Sequence, residues 1–165
     1  MKLNPTAGLA VAAACLIALT GCVVPAPLPT PAPPTTAAPL KFGSTYTWPD
    51  GWAVSVSDPS DYTPGKDAEK PESGHYLMVT VTISSPDDGG DLLPITDLDI
   101  YARSHSTLCG EVVDETEGLN GGTDAAMIGR GEFFDIPVAF GVDDPSDFTV
   151  TVYTKLDHTS ATFGR

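Results

Sequence analysis

Cysteine is scarce in this 165-residue chain, with three in all, so no disulfide framework holds the fold together. Basic residues are few, 8 against 22 acidic ones, and the formal charge of −14 repels phosphate backbones and anionic headgroups. Nucleic acid is therefore excluded as a partner, and so is electrostatic adhesion to a lipid surface. The histidines 75, 105 and 158 lie far apart, with no pair spaced to present two ligands from one element, so no metal site is expected of them. Long apolar runs are also missing. The longest, 7–19, is too short to cross a bilayer, which rules out a polytopic membrane protein. No Gly-x-Ser-x-Gly elbow and no phosphate-cradling glycine loop before a helix occurs, and no motif asks for a cofactor or names a reaction.

What is present begins with targeting. Met1 and Lys2 precede the uncharged apolar stretch 7–19, the layout of an export signal. The stretch ends in Leu19-Thr20-Gly21-Cys22, which resembles the lipobox of bacterial lipoproteins. That resemblance implies cleavage before Cys22, a diacylglycerol thioether on its thiol, and palmitate-type acyl chains on the residue. Cys15 would leave with the signal. Two or three chains, at about 0.8 kcal/mol per CH₂, suffice for stable anchoring to the extracytoplasmic side of the cell membrane.

Residues 23–40 carry no charge and have prolines at 25, 27, 29, 31, 33, 34 and 39. Proline at alternate positions removes backbone donors and favours polyproline II, so these residues form a tether of up to roughly 55 Å at about 3.1 Å per residue. The expected organisation is a signal peptide over 1–21, the lipidated Cys22 and a linker to 40, and one domain over 41–165.

That domain reads as all-β. Leu77, Val79, Val81 and Ile83 alternate with hydroxyl residues, so one face of a strand is buried. Phe134, Ile136, Val138, Phe140 and Val142 repeat the pattern, and Pro137 among them predicts an edge or a bulge. Further faces are Phe148, Val150 and Val152; Leu98 and Ile100; and Trp52, Val54 and Val56. Shorter strands are expected over 42–48, 108–113, 126–130 and 161–163. Turn chemistry separates them at Pro49-Asp50-Gly51, 86–90, Gly121-Gly122 and 143–147. Seven to nine short strands in one domain predict an antiparallel two-sheet sandwich.

Phe42-Gly43-Ser44-Thr45, then Trp48-Pro49-Asp50-Gly51 leading into Val54-Ser55-Val56-Ser57, resemble the opening of a family of Gram-positive, especially actinobacterial, lipoproteins with an immunoglobulin-like extracellular domain. The strand 79–83, the Gly121-Gly122 loop, Gly129-Arg130-Gly131 before 133–142, and Asp144-Pro145-Ser146-Asp147-Phe148 before Val150-Thr151-Val152 follow in that family's order. The resemblance covers nearly all of 41–165. It implies an immunoglobulin-like sandwich shared with a secreted immunogenic mycobacterial antigen and telokin-like domains, and it carries no activity to transfer. Cys109 is a departure from the pattern.

Several residues are of types that carry chemistry. His105 and Cys109 sit in Arg103-Ser104-His105-Ser106-Thr107-Leu108-Cys109-Gly110, which falls short of the Ser-His-Gly-Cys spacing of L,D-transpeptidases. Glu111, Asp114 and Glu115 would raise a thiol pKa rather than lower it, so Cys109 is expected to be structural. Asp87, Asp88 and Asp91, and likewise Asp143, Asp144 and Asp147, gather oxygen ligands in loops, yet neither follows the spaced order of a calcium loop. Phe42, Tyr46, Trp48 and Trp52 are expected to fill the core rather than form a glycan or protein patch. The sequence thus predicts no catalytic, metal or cofactor residue, with Cys22 the single assigned site. A non-enzymatic binding or adaptor role toward an envelope protein or cell-wall component is expected; an envelope enzyme, an enzyme inhibitor and a calcium-stiffened module are the alternatives.

Overall fold

The computed structural model describes residues 38–87, 93–120, 127–155 and 160–165. The expected signal, Cys22 and most of the tether lie outside the described residues, as do Asp88, Asp91, the Gly121-Gly122 loop and His158.

Two sheets form from the alternating segments. The first joins β1 (Leu40–Lys41), β13 (Ser160–Gly164), β12 (Phe148–Thr154), β7 (Leu98–Ser104) and β8 (Thr107–Leu108) in that spatial order. The second joins β2 (Thr45–Thr47), β3 (Ala53–Val56), β5 (His75–Ser84), β11 (Phe133–Val142) and β9 (Gly110–Val112), with β4 (Ser60–Asp61) also on β5. A two-stranded ribbon of β6 (Leu93–Pro94) and β10 (Met127–Ile128) accompanies them. All pairings are antiparallel except β1 with β13, where Leu40 and Phe163 are parallel neighbours.

The core lies between the sheets because each contributes one apolar face. Val54, Val56, Leu77, Val79, Val81, Ile83, Ile136, Val138, Phe140 and Val142 meet Ala102, Phe148, Val150, Val152, Ala161 and Phe163, all buried in one cluster. Leu93 and Ile128 bring the ribbon into the same cluster. Burying each large aliphatic or aromatic side chain is worth about 1.5–3 kcal/mol, so the period-two pattern dictates which way each strand faces. Trp48 and Trp52 are core residues, as expected.

The expected strand over 42–48 is split. Gly43 takes φ +76° in a turn held by the Ser44 N–H on Lys41 O at 3.1 Å, so β1 joins one sheet and β2 the other. The expected strand over 108–113 is split too: β8 pairs with β7 and β9 with β11, and the chain changes sheet at Cys109. Along β5, three residues (57–59) lie between Val56↔Val81 and Ser60↔Met78, opposite only two. This is a β-bulge, bridged by Ser57, whose N–H donates to Thr80 O and whose Oγ accepts from Thr80 N–H, both at 2.9 Å.

Pro137 sits opposite Thr80, whose N–H and C=O are turned to Ser57 on the far side of β5. Pro137 therefore points its own backbone away from β5, to the edge that β9 pairs only at 139–141, so its missing N–H costs no ladder bond. The edge expected from the sequence is local to this half of β11.

One sheet has its outer face covered. Val112, Leu119 and Ala139 form a second buried cluster with Tyr62, Ala68, Tyr76 and Met78, under a strap of residues 62–74 that crosses β5, β11 and β9. The strap is pinned by reciprocal bonds between Glu69 and Val113 at 2.8 Å, and by the Tyr76 hydroxyl donating to Pro71 O at 2.8 Å. Gly110 and Gly141 are cross-strand partners directly beneath Pro71. A Cβ at Gly141 would stand 2.6 Å from Pro71 Cγ, and one at Gly110 would stand 2.8 Å from Pro71 Cβ. Only glycine lets the strap lie this close.

Candidate functional site

Among the described residues, three places gather polar or reactive groups. The first is the sheet crossing. Cys109 is half-buried against the core, with its N–H donating to Ala102 O at 2.9 Å. It borders a cavity of about 170 Å³ lined by Pro71, Ser73, Ser104, Gly141 and Asp143 among others. Burial pushes the thiol pKa up, and the charge of Asp143 adds to this. The expected direction is found, but the responsible carboxylate is 34 positions away rather than a sequence neighbour. A neutral thiol is a weak nucleophile at neutral pH.

His105 does not serve that thiol. With Ser106 it makes the two-residue turn of the β7–β8 hairpin, φ +48° and +65°, the positive values such turns require. Its Nε2 faces Asp144 at 3.5 Å and Asp147 at 4.0 Å, and its N–H donates to Asp147 Oδ2 at 3.1 Å. His75 opens β5 in an exposed position.

The second place is that acidic loop, 143–147. Asp144 Oδ1 accepts from the Ser146 N–H at 2.8 Å and hydroxyl at 2.7 Å, capping the short 3-10 turn Pro145–Asp147. These bonds, with His105 nearby, hold the Asp144 carboxyl below its ordinary range. The carboxylates thus serve the turn and the hairpin. Among the described residues no group of three His, Cys, Asp or Glu side chains is placed to hold a metal ion.

The third place was not anticipated as a unit. Asp114 is 3% exposed, and its Oδ2 accepts from the Tyr62 hydroxyl at 2.9 Å and the Gly65 N–H at 2.7 Å. Its Oδ1 accepts from the Thr116 hydroxyl at 2.7 Å. The carboxylate lies shallow, under one layer of chain, so these bonds outweigh burial and lower its pKa. Tyr62 responds in the opposite sense: burial, then the bond to Asp114, push its hydroxyl up to about 12. A groove of about 300 Å³ beside this node is lined by Asp67, Glu69, Val113, Glu115 and Thr116. Asp114 ties the strap to the covered sheet. Its strap partners Gly65 and Tyr62 stand 49 and 52 residues away, a separation no local motif reports.

Of the aromatic residues near the start of the domain, Phe42 stacks on Phe148 at 6.1 Å between ring centroids and Tyr46 meets Trp48 edge-on at 5.7 Å. They serve the core and its margin.

No family model and no curated protein sequence matches the chain. Solved structures do. YjhA of Bacillus subtilis is similar at a TM-score of 0.57 and 10% identity, over 76% of this chain and 98% of that one. YcdA of Bacillus subtilis, assigned as a lipoprotein, is similar at 0.53 and 18% identity over 69% of this chain, which spans only 36% of YcdA. The secreted protein MPT63 of Mycobacterium tuberculosis is similar at 0.51 and 19% identity, over 79% of this chain and all of that one. At these identities the likeness is one of fold, shared with YjhA, a lipoprotein and a secreted protein.

Proposed function

We propose that this is a lipid-anchored protein of the cell envelope whose sandwich acts, without catalysing a reaction, as a binding or adaptor module for an envelope protein or a cell-wall component. The reading of its location is supported by Leu19-Thr20-Gly21-Cys22 and by similarity in fold to YcdA and MPT63. The observation that carries the binding role is the contrast between the two sheets: one outer face is sealed by the strap, while the other, on β7, β12 and β13, has no buried cluster packed on it among the described residues. A free sheet face supplies a broad surface for recognition. The neutral Cys109 thiol, with His105 directed to Asp144, weighs against nucleophilic chemistry at the sheet crossing.

Two measurements test this. Cys22→Ala should abolish incorporation of labelled fatty acid and release the protein from the membrane fraction; retention without label would refute the anchor. A photo-crosslinking residue replacing Tyr101 on the free face should yield a discrete adduct in intact cells, whereas one replacing Asp67 on the strap should not. Identical behaviour at both positions would contradict the reading.

A further inference from the structure

The strap covers only part of the second sheet. Cross-strand partners share a face, and the registers set Ser55, Thr82 and Asp135 in one row and Ala53, Ser84 and Phe133 in the next, on the side opposite the inward Val54, Ile83 and Ile136. None of these six outward residues is buried: Phe133 and Asp135 are exposed and the other four half-buried. Phe133, 69% exposed, is the most exposed large apolar side chain among the described residues. Asp135 follows it two positions along β11, roughly 7 Å away on the same face. The Asp135 carboxylate accepts from the Thr82 hydroxyl at 2.6 Å, which leaves acceptor capacity for a further donor.

Charge and rings together narrow the occupant. The loops at one end of this face hold Asp50, Asp87 and Glu132 with Arg130; at the other end are Asp58 and Asp61, with Lys41 on β1 of the other sheet. With Asp135 that makes six carboxylates against two bases, so a cation is drawn here and an anion repelled. The strap and the 143–147 loop are acidic too, so charge alone does not select this face. The ring does. Tyr76 beneath the strap already carries Lys70 Nζ at 5.8 Å from its centroid, and Tyr101 carries the Arg103 guanidinium at 6.0 Å. Among the described residues no cation of the chain lies over Phe133, although a carboxylate stands beside it. What fits is a lysine or arginine side chain from outside, its stem along the ring and its head on Asp135. The hydroxyls of Ser55, Thr82 and Ser84 can pair with peptide groups of the same segment.

We propose that the outer face of β3, β5 and the first half of β11 docks a basic, extended segment of a partner protein, with Phe133 as the ring that receives a lysine or arginine and Asp135 as its counter-charge. This goes beyond the binding role read from the other sheet: it is a second surface, and a failed crosslink at position 101 leaves it standing.

The full acylated chain in micelles of a non-ionic detergent, titrated with a fluorescent ten-residue peptide of alternating lysine and threonine, tests it. The peptide should bind at low salt and more weakly as salt rises, and the same peptide with glutamate in place of lysine should not bind. Phe133→Ala should weaken binding about tenfold and Asp135→Asn about threefold. Phe133→Trp should retain or improve the affinity, because the larger ring holds a cation better. Glu115→Gln, which removes one carboxylate from the strap side, should change it by less than about 1.5-fold. Failure of the lysine peptide to bind would overturn the proposal. So would equal losses from Glu115→Gln and Asp135→Asn with none from Phe133→Ala, since the attraction would then be to the overall charge of −14. If spermine binds with the same dependence on Phe133 while the peptide does not, the face takes a cation but not a protein, and the proposal fails.

Discussion

The two sheets of the sandwich are built from the same alternating text and end in different conditions. In β11, residues 134–138 bury one side only, yet from Ala139 onward both sides are buried, because the strap lies over the second half of the strand. In β12, the inward Phe148, Val150 and Val152 are buried; of the outward residues Thr151 is buried as well and Thr149 and Tyr153 are half-buried, with no second buried cluster packed on them among the described residues. Where Pro71 crosses, the covered sheet has Gly110 and Gly141 on its outer face, with Ala139 and Val112 beside them and the larger Tyr76 and Met78 packed under the rest of the strap; the outer face of β7 and β12 carries Asp99, Tyr101, Arg103, Thr149, Thr151 and Tyr153. Glycine on the second face of a strand therefore marks where another layer of chain lies closest.

The largest expected effect strikes what the sheets share. Val79→Asp on the covered sheet and Val150→Asp on the free one each bury an unpaired charge between the layers, and each should remove several kcal/mol, enough to abolish the cooperative urea transition. Thr80→Asp, on the opposite side of β5, should change stability by less than about 1 kcal/mol. Equal losses at 79 and 80 would mean that the faces are reversed.

Next come changes that break the asymmetry itself. Asp114→Asn should weaken the bonds to Tyr62, Gly65 and Thr116 while leaving the β-type circular dichroism intact, and trypsin should then cut after Lys66 faster than in the parent protein. Because the Asp114 pKa is lowered by folding, its contribution is whole above the ordinary carboxylate value, about 3.9, and is lost as pH falls through the lower folded value. Cleavage after Lys66 should therefore accelerate in acid, assayed with an acid-tolerant protease if trypsin is inactive. Tyr62 carries the opposite sign: with its hydroxyl raised to about 12, its contribution to strap closure is whole below about 10 and is lost between there and the folded value. Ultraviolet titration should show one tyrosine ionising near 12, moving down in Asp114→Asn.

The smallest effect belongs to the crossing between sheets. Cys109→Ser should cost about 1 kcal/mol, since the thiol is only half-buried. A thiol reagent at neutral pH should modify Cys109 slowly, with the rate rising on unfolding; fast modification of the folded protein would contradict a raised pKa.

These regions also differ in how far the sequence announces them. The inward sets of β3, β5, β11 and β12 are legible because a period of two survives over four or more residues, and Trp48 and Trp52 fall inside as their size suggests. β4 is Ser-Asp and β6 is Leu-Pro, too short and too polar or rigid to show a period. The splits at Gly43 and Cys109 escape because each half continues the alternation while joining a different sheet. The Asp114 node escapes for another reason: Tyr62 and Gly65, two of its three partners, lie on a strap with no regular structure of its own. The outward residues of β7 and β12 read only as the polar side of a strand until the register sets Tyr101 and Tyr153 diagonally together. The expectation at Cys22 rests on text alone, through its lipobox resemblance, and lies outside the described residues.

Hydroxyl-radical footprinting of the full chain, read by mass spectrometry at individual tyrosines, tests the contrast most directly. Tyr101 should be modified fast, and Tyr62 and Tyr76 slowly, since the second buried cluster packs against both of the latter. In Asp114→Asn, Tyr62 and Tyr76 should speed up while Tyr101 stays as it was. Protection of Tyr101 in the parent protein, or equal rates at all three residues, would contradict a sandwich with one sealed face and one free.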